Sequence, residues 1–250
     1  MNIQGSTVLV TGANRGIGKS IVEAFVAAGA AKVYATARNP DSVRPLVEAH
    51  GDTIVPLALD LSSPDTITAA AQTATDVTIV VNNGGVLRAG DPLSPAVLDN
   101  IDFEFDVNVK GLVRVAQAFA PVLKANGGPD QPTALVQLNS VASLKNFAGF
   151  TSYSASKAAA YSLTQGLREA LAEQHTLVVS VHPGPIQTDM ATGAGFPEDM
   201  TEPPTIVADS VIDGITNDRF HVFPDKMARD FWGAYEGFAV AVVEPIMAEA

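Results

Sequence analysis

The chain has 250 residues, of which 47% are hydrophobic and 17% charged, a composition that excludes a disordered protein and suits one large globular domain. It contains no cysteine, which excludes disulfide scaffolds, cysteine nucleophiles, thiolate zinc sites and iron–sulfur clusters. Its 27 acidic and 15 basic residues give a net charge of −12, so the overall field repels nucleic acid and anionic lipid.

Short apolar runs alternate with longer segments of helical periodicity, a pattern typical of a doubly wound α/β fold. Most runs are apolar throughout, as expected for parallel strands that helices cover on both faces. We therefore predict a single domain over residues 1–250, a Rossmann-type fold with a seven-stranded parallel sheet. The predicted strands are Thr7–Thr11, Lys32–Thr36, Ile54–Leu59, Thr78–Asn82, Ala134–Asn139, Leu177–His182 and Phe220–Phe223. The predicted helices are Gly16–Ala28, Ser42–His50, Asp65–Ala74, Asp102–Asn126, Ser152–Gln174 and Thr205–Asn217.

Two segments stand outside this alternation. Residues 189–204 mix glycine, proline and methionine without periodicity, so they form either a surface loop or a lid over a substrate. Residues 225–250 form a tail of helical character, whose apolar stripe packs on its own subunit, covers a pocket or meets a partner. The stripe comprises Phe231, Trp232, Tyr235, Phe238, Val242 and Ile246.

Signals for a membrane, for secretion and for a metal are absent from the sequence. No basic n-region precedes Val10, and no run of about 18 apolar residues occurs. The histidines are scattered and form no H-E-x-x-H pair. We therefore expect a cytoplasmic protein that binds no metal, no membrane and no nucleic acid.

The first predicted strand ends in a glycine-rich turn that leads directly into a helix. The turn reads T-G-A-N-R-G-I-G from Thr11 to Gly18. Bare amides at the positive end of a helix suit a pyrophosphate, and side chains at these glycines would obstruct its approach. The alternative is that the glycines only end a strand and begin a helix. The context favours a dinucleotide site, with the candidate ligands Gly12, Asn14, Arg15, Gly16, Ile17 and Gly18.

The end of the second predicted strand indicates which dinucleotide binds. An NAD site usually places a carboxylate there to accept hydrogen bonds from the adenosine ribose. This chain has Ala37 followed by Arg38, and Arg15 in the glycine turn offers a second guanidinium. Two guanidinium groups suit a 2′-phosphate, so we predict NADP (NADPH) as the cofactor. The alternative is that both arginines are ordinary solvated charges.

A tyrosine and a lysine lie one turn apart near the start of a long predicted helix. Tyr153 and Lys157 are spaced i, i+4 and therefore share a face. We expect the ammonium to favour phenolate and to move the pKa of Tyr153 down from about 10. Ser140 follows the fifth strand, where a hydroxyl can donate to a substrate carbonyl. Asn108 lies within the predicted helix Asp102–Asn126.

Taken together, these motifs resemble those of the short-chain dehydrogenase/reductase family from about Thr7 to Phe223. The chain is similar to the family in its T-G-x-x-x-G-x-G turn, in Asp60-Leu61, and in Asn82-Asn83-Gly84-Gly85, where the family has N-N-A-G. Pro183-Gly184 with Thr188 resembles P-G-x-x-x-T. The resemblance implies the catalytic residues Asn108, Ser140, Tyr153 and Lys157. It also implies cofactor contacts from Asp60, Leu61, Asn82, Gly84, Tyr153, Lys157, Pro183, Gly184, Ile186 and Thr188.

The resemblance implies hydride transfer between a nicotinamide and a carbonyl or alcohol carbon. Tyr153 would protonate the oxygen, Ser140 would orient it, Lys157 would act on Tyr153 and the nicotinamide ribose, and Asn108 would hold a water. We expect an NADPH-dependent carbonyl reductase that forms a homo-oligomer, a dimer or a tetramer. Two alternatives stay open: a mainly oxidative dehydrogenase of an alcohol or hydroxysteroid, and a non-catalytic protein that senses NADP.

Apolar residues after Ser140 and in the 189–204 segment are the candidate substrate contacts. They lack a clustered pair of cations for a charged substrate, so we expect an uncharged, hydrophobic ketone or aldehyde. The alternative for the phenylalanines is an ordinary place in the core. The candidates are Leu144, Phe147, Phe150, Met190 and Phe196.

Overall fold

A parallel β-sheet forms the centre of the fold in the computed structural model, which describes residues 1–245. Its strands are β1 (Thr7–Val10), β2 (Lys32–Ala37), β3 (Ile54–Ala58), β4 (Ile79–Asn82), β5 (Thr133–Leu138), β6 (Thr176–Val181) and β7 (His221–Val222). Within the described residues they pair in the order β3-β2-β1-β4-β5-β6-β7, with every pair parallel. The order reverses between β1 and β4, which opens a crevice at their carboxyl ends.

Helices cover both faces of this sheet. They are α1 (Gly16–Ala27), α2 (Arg44–His50), α3 (Pro64–Thr73), α4 (Val97–Glu104), α5 (Gly111–Asn126), α6 (Thr151–Ala172), α7 (Asp189–Gly193), α8 (Pro204–Thr216) and α9 (Lys226–Phe238). Neighbouring residues of β1 point to opposite faces of the sheet. Val8 and Val10 pack into the core on one face, and Leu9 packs into the core on the other. Phe25 of α1 and Phe119 of α5 are fully buried in these two cores. Each such side chain contributes roughly 1.5–3 kcal/mol to folding through the apolar surface it removes from water.

The predicted fold class is confirmed, and the main differences lie in three elements. The long helix predicted from Asp102 begins earlier, with α4 at Val97, and is interrupted by a π-helical turn over Phe105–Lys110. Strand β7 has only two residues instead of the predicted four. The segment predicted as irregular contains the short helix α7 and a 3₁₀ turn at Glu198–Met200.

Residues 225–245, which we call the C-terminal arm, pack against the body of the same chain. The arm comprises α9 and a π-helical turn over Ala239–Val243. The hydroxyl of Tyr235 lies 3.2 Å from that of Tyr161 on α6, and Glu244 Oε1 lies 2.9 Å from Nδ1 of the buried His221. Phe238 and Val242 of the predicted stripe remain exposed, and Ile246 lies outside the described residues.

Candidate active site

A cavity of about 690 Å³ lies along the carboxyl ends of β1, β2, β4, β5 and β6. Most of the predicted cofactor contacts line it: Gly12, Asn14, Arg15, Gly16, Ile17, Gly18, Arg38, Asp60, Leu61, Gly84, Pro183, Gly184, Ile186 and Thr188. Three of the four predicted catalytic residues, Ser140, Tyr153 and Lys157, line it as well, as do Phe147, Phe150, Met190 and Phe196. The fold thus gathers motifs from the whole length of the chain around one space.

The glycine turn forms one end of the cavity and has no room for side chains. Gly12 and Gly16 have φ angles of +64° and +54°, which L-residues rarely adopt. A Cβ on Gly18 would lie 2.2 Å from the carbonyl oxygen of Gly12, so the helix can approach the turn only with glycine there. The amides at this end of α1 form a cradle that fits a pyrophosphate.

Two neighbouring asparagines support this turn, but only one of them lines the cavity. Asn83 does so, and its Nδ2 donates to the carbonyl of Thr11 at 2.9 Å. Asn82, predicted to contact the cofactor, is buried below the cavity instead, where its Oδ1 accepts from Thr11 Oγ1 at 3.2 Å. Sequence alone missed Asn83 because adjacent residues of a strand point to opposite sides, and the motif does not say which one faces the ligand.

The two arginines predicted to bind a 2′-phosphate lie in different surroundings. Arg15 forms an ion pair with Asp189 of α7, with 2.7 Å between NH1 and Oδ2. Arg38 has no ion-pair partner in the part of the chain that the structure describes. Asp60 beside it is partly desolvated, which acts against ionisation, yet hydrogen bonds from Ser62 and the charge of Arg38 lower the Asp60 pKa on balance. Of these two arginines, Arg38 is therefore the more available to an anionic ligand.

Ser140, Tyr153 and Lys157 meet at the other end of the cavity. Ser140 begins a short 3₁₀ turn, where its Oγ accepts from Ala142 N at 3.1 Å and donates to the carbonyl of Pro183 at 3.3 Å. Lys157 is buried and donates from Nζ to the carbonyl of Leu138 at 2.8 Å. Its Nζ lies 5.8 Å from the centroid of the Tyr153 ring, so the predicted i, i+4 proximity is present.

Desolvation dominates the protonation of this group. Burial raises the pKa of Tyr153 to about 12, and the charge of Glu104 adds to this, whereas a hydrogen bond with Ser140 acts in the opposite direction. Burial also lowers the pKa of Lys157 to about 8. The expectation that Lys157 depresses the Tyr153 pKa is therefore wrong for this structure, because both groups lose hydration and each favours its neutral form. The phenol consequently holds its proton at neutral pH.

Asn108 stands behind this group in the π-helical turn, and it does not line the cavity. Its Oδ1 accepts from Val86 N at 2.9 Å, and its Nδ2 donates to Val86 O at 2.9 Å and to Ser156 Oγ at 3.0 Å. A Cβ on Gly85 would lie 3.2 Å from Asn108 Oδ1 and 3.7 Å from Lys157 Nζ. The glycine therefore leaves open the space between these two side chains.

Aromatic side chains form the wall on the substrate side. Phe150 stacks on Phe196 at 5.8 Å between centroids, which joins the loop after Ser140 to the 189–204 segment. Phe147 stacks at 6.2 Å on Phe231 of the C-terminal arm. Leu144, predicted to face the substrate, does not line this cavity: it lines a shallow depression with Phe231 and Tyr235, because the 3₁₀ turn directs it toward α9.

Sequence reasoning missed three further apolar residues that line the cavity. They are Leu87 in the loop after β4, Phe103 in α4 and Val107 in the π-helical turn. Phe103 and Val107 are spaced i, i+4, a signal that resembles an ordinary buried helix face. The described residues contain no group of three or more histidine, aspartate or glutamate side chains that could hold a metal ion.

Residues 6–197 match the family model of the short chain dehydrogenases, which covers more than half of the chain. The chain belongs to the short-chain dehydrogenase/reductase family. Among its relatives, 1-deoxy-11-beta-hydroxypentalenate dehydrogenase of Streptomyces avermitilis is 36% identical over 241 residues, covering 92% of this chain and 88% of that protein. The 3-oxoacyl-[acyl-carrier-protein] reductase FabG of Vibrio cholerae is 31% identical over 195 residues, covering 76% of this chain and 77% of FabG.

A solved structure agrees with this assignment. A short chain dehydrogenase from Burkholderia cenocepacia, in complex with NADP, superposes with a TM-score of 0.84 at 30% identity, covering 98% of this chain and 100% of the other. This short-chain dehydrogenase/reductase is therefore an NAD(P)-dependent oxidoreductase that acts on CH–OH or C=O groups of small molecules. None of its described helices is both long and apolar enough to cross a membrane.

The buried Lys157 should make the stability of this short-chain dehydrogenase/reductase depend on pH. Its pKa is about 8 in the folded chain against an ordinary 10.5, so between these values the unfolded chain binds more protons. The free energy of unfolding should therefore rise with pH in this window, by at most about 1.4 kcal/mol per unit. The raised pKa of Tyr153 makes the free energy of unfolding fall with rising pH, but only at pH values above the ordinary tyrosine pKa of 10.0.

The measurement is urea unfolding without nucleotide at pH 7.5 and at pH 9.5. A Lys157→Met variant serves as the control, since the other titrating groups contribute alike to both proteins. We expect the variant to lose most of the gain in stability between these two pH values. Equal gains in the two proteins would contradict the lowered pKa of Lys157.

Proposed function

We propose that this enzyme reduces an uncharged, hydrophobic ketone or aldehyde with NADPH. The observation that carries the proposal is the meeting of Ser140, Tyr153 and Lys157 on the wall of the cavity that the glycine turn closes at its other end. One reactive end and one phosphate-binding end in a single space suit a dinucleotide that extends between them.

The residues at the glycine turn fit such a cofactor. The positive-φ glycines leave a cradle of amides for the pyrophosphate, and Arg38 supports NADPH over NADH because a guanidinium binds a 2′-phosphate through charge-assisted hydrogen bonds. A bound reduced nicotinamide nucleotide supplies the hydride, which no side chain of the protein can provide.

The remaining chemistry belongs to the chain. Ser140 turns its single hydroxyl hydrogen from the Pro183 carbonyl to the substrate oxygen and so orients it, while Tyr153 gives that oxygen a proton. Tyr153 is a protonated phenol at neutral pH, which is the state that reduction requires at its start. Lys157 stands ready to return a proton to Tyr153, and Asn108 fixes the backbone of the loop at Val86 beside it.

The nature of the walls supports a hydrophobic substrate. Phe147, Phe150 and Phe196 line the same cavity as Phe103 and Val107. Apolar surfaces of this kind discriminate poorly among similar shapes, so we expect several ketones to be accepted. The 189–204 segment, which contributes Met190 and Phe196, is proposed as the lid over the substrate.

A second candidate is a mainly oxidative dehydrogenase, and the name of the relative from Streptomyces avermitilis favours it. The two directions require opposite protonation states of Tyr153 at the start of the reaction. Reduction begins with the phenol and oxidation with the phenolate, so the two candidates predict different pH dependence.

The decisive experiment follows NADPH absorbance at pH 7 with aliphatic, aryl and steroid ketones, and the reverse reaction with the matching alcohols and NADP⁺. We expect ketone reduction to have the larger kcat/KM at pH 7. The kcat/KM for alcohol oxidation should increase as the pH rises. Faster oxidation at pH 7 would favour the second candidate. Tight NADPH binding without turnover of any substrate would instead indicate a protein that senses NADP.

A further inference from the structure

A buried carboxylate joins the C-terminal arm to the catalytic end of the cavity. Asp225 follows β7 and is only 2% exposed. Its Oδ1 accepts from Ala228 N at 2.9 Å, which caps the start of α9. Its Oδ2 accepts from Gly184 N at 2.6 Å. One side chain therefore holds both the arm and the loop that follows β6.

The loop can donate few backbone hydrogen bonds. Residues 183–185 read Pro-Gly-Pro, and proline has no N–H, so Gly184 carries the only backbone donor of the three. A Cβ on Gly184 would lie 2.5 Å from Asp225 Oδ1. Glycine at this position thus allows the close approach of the carboxylate.

A second acidic residue strengthens the same junction. Glu202 Oε1 accepts from Lys226 N, the first amide of α9, at 2.7 Å. The backbone of Glu202 also donates to Pro185 O at 3.2 Å and accepts from Gln187 N at 2.9 Å. The beginning of α9 is consequently connected to Gly184 through Asp225, and to the backbone at Pro185 and Gln187 through Glu202.

The loop in turn touches the reactive end of the site. The carbonyl of Pro183 accepts from Ser140 Oγ at 3.3 Å and from Val141 N at 3.0 Å. A shift of Gly184 would move this carbonyl and with it the hydroxyl that orients the substrate. Arg38 and Asp60, at the proposed adenosine end, follow β2 and β3 and make no hydrogen bond with Asp225 among the described residues.

We propose that Asp225 is a positioning residue that fixes the Pro183–Gly184 loop and so aligns the reacting half of the bound dinucleotide with Ser140. This rests on the proposed function. The residue lies in the C-terminal arm, outside the segment 6–197 that matches the family model.

Two variants separate this role from the capping of α9. Asp225→Ala removes both hydrogen bonds, whereas Asp225→Ser keeps a hydroxyl that can cap the helix but is too short to hold Gly184 as well. Asp230→Ala is the matched control, because Asp230 is exposed on the same helix and its ion-pair partner within residues 1–245 is Lys226. Each protein is measured for its Tm, its kcat and its Kd for NADPH and for 2′,5′-ADP, which represents the adenosine half alone.

We expect both Asp225 variants to raise the Kd for NADPH about tenfold and to lower kcat, since a charge-assisted hydrogen bond is lost. The Kd for 2′,5′-ADP should stay within about twofold, and the serine variant should keep more of the Tm than the alanine variant. A purely structural role would weaken both ligands together in step with the Tm, and this outcome, like an unchanged Kd for NADPH, would overturn the proposal. If the wild-type protein binds NADPH but reduces no carbonyl, the proposed function is wrong. The proposal for Asp225 is still tested in that case by comparing the Kd values for NADPH and 2′,5′-ADP.

Discussion

Replacing Tyr153 with phenylalanine should lower kcat for carbonyl reduction by at least about 10³-fold, since the phenol is the group that we propose delivers the proton. The Kd for NADPH should change by no more than a few fold, because the ring that lines the cavity is retained. Both quantities can be measured on one preparation, by steady-state absorbance and by quenching of intrinsic fluorescence on titration with NADPH.

Tyr161→Phe provides the matched control on the same helix. Tyr161 is buried, and its hydroxyl lies 2.7 Å from His221 Nε2 and 3.2 Å from the Tyr235 hydroxyl, away from the cavity. Its removal should lower the Tm and leave most of kcat. Retained ketone reduction by Tyr153→Phe would remove this residue from the mechanism, whatever the behaviour of the control.

The sequence was most informative where local patterns and topology act together. Continuous apolar runs predicted the sheet because buried parallel strands carry apolar residues on both faces, as Val8, Leu9 and Val10 do. The i, i+4 spacing placed Tyr153 and Lys157 on one face of α6, and the position of Ser140 after β5 placed it on the same cavity. Such relations follow from helix and strand periodicity alone.

Other features depend on packing between distant segments, and sequence patterns did not reveal them. The π-helical turn at Phe105–Lys110 directs the Asn108 side chain toward Val86, and a helical periodicity does not specify such a turn. The side that Leu144 faces depends on α9, whose docking joins residues far apart in the chain. The pKa of Tyr153 was predicted in the wrong direction because spacing shows the nearby charge but not the loss of hydration.

Replacing Arg38 with aspartate should reverse the preference between the two nicotinamide nucleotides. If Arg38 binds the 2′-phosphate as proposed, the substitution removes a charge-assisted hydrogen bond worth about 1.5–3 kcal/mol and adds a repelling charge. The new carboxylate can also accept hydrogen bonds from the ribose hydroxyls of NADH. We expect the ratio of kcat/KM for NADPH to that for NADH to fall by about 10²-fold or more.

Arg44→Asp is the control for charge, because Arg44 begins α2 only six residues further along the chain and does not line the cavity. Arg44→Asp changes the net charge by the same amount as Arg38→Asp. A general weakening of anion binding would therefore lower the NADPH to NADH ratio in both variants. Arg15→Gln tests the second cation: its pairing with Asp189 leaves it less available, so we expect a smaller change than at Arg38. The opposite result would be an unchanged NADPH to NADH ratio in Arg38→Asp and a reversed ratio in Arg15→Gln. It would indicate that Arg15 binds the 2′-phosphate and that the nucleotide displaces Asp189 from this arginine.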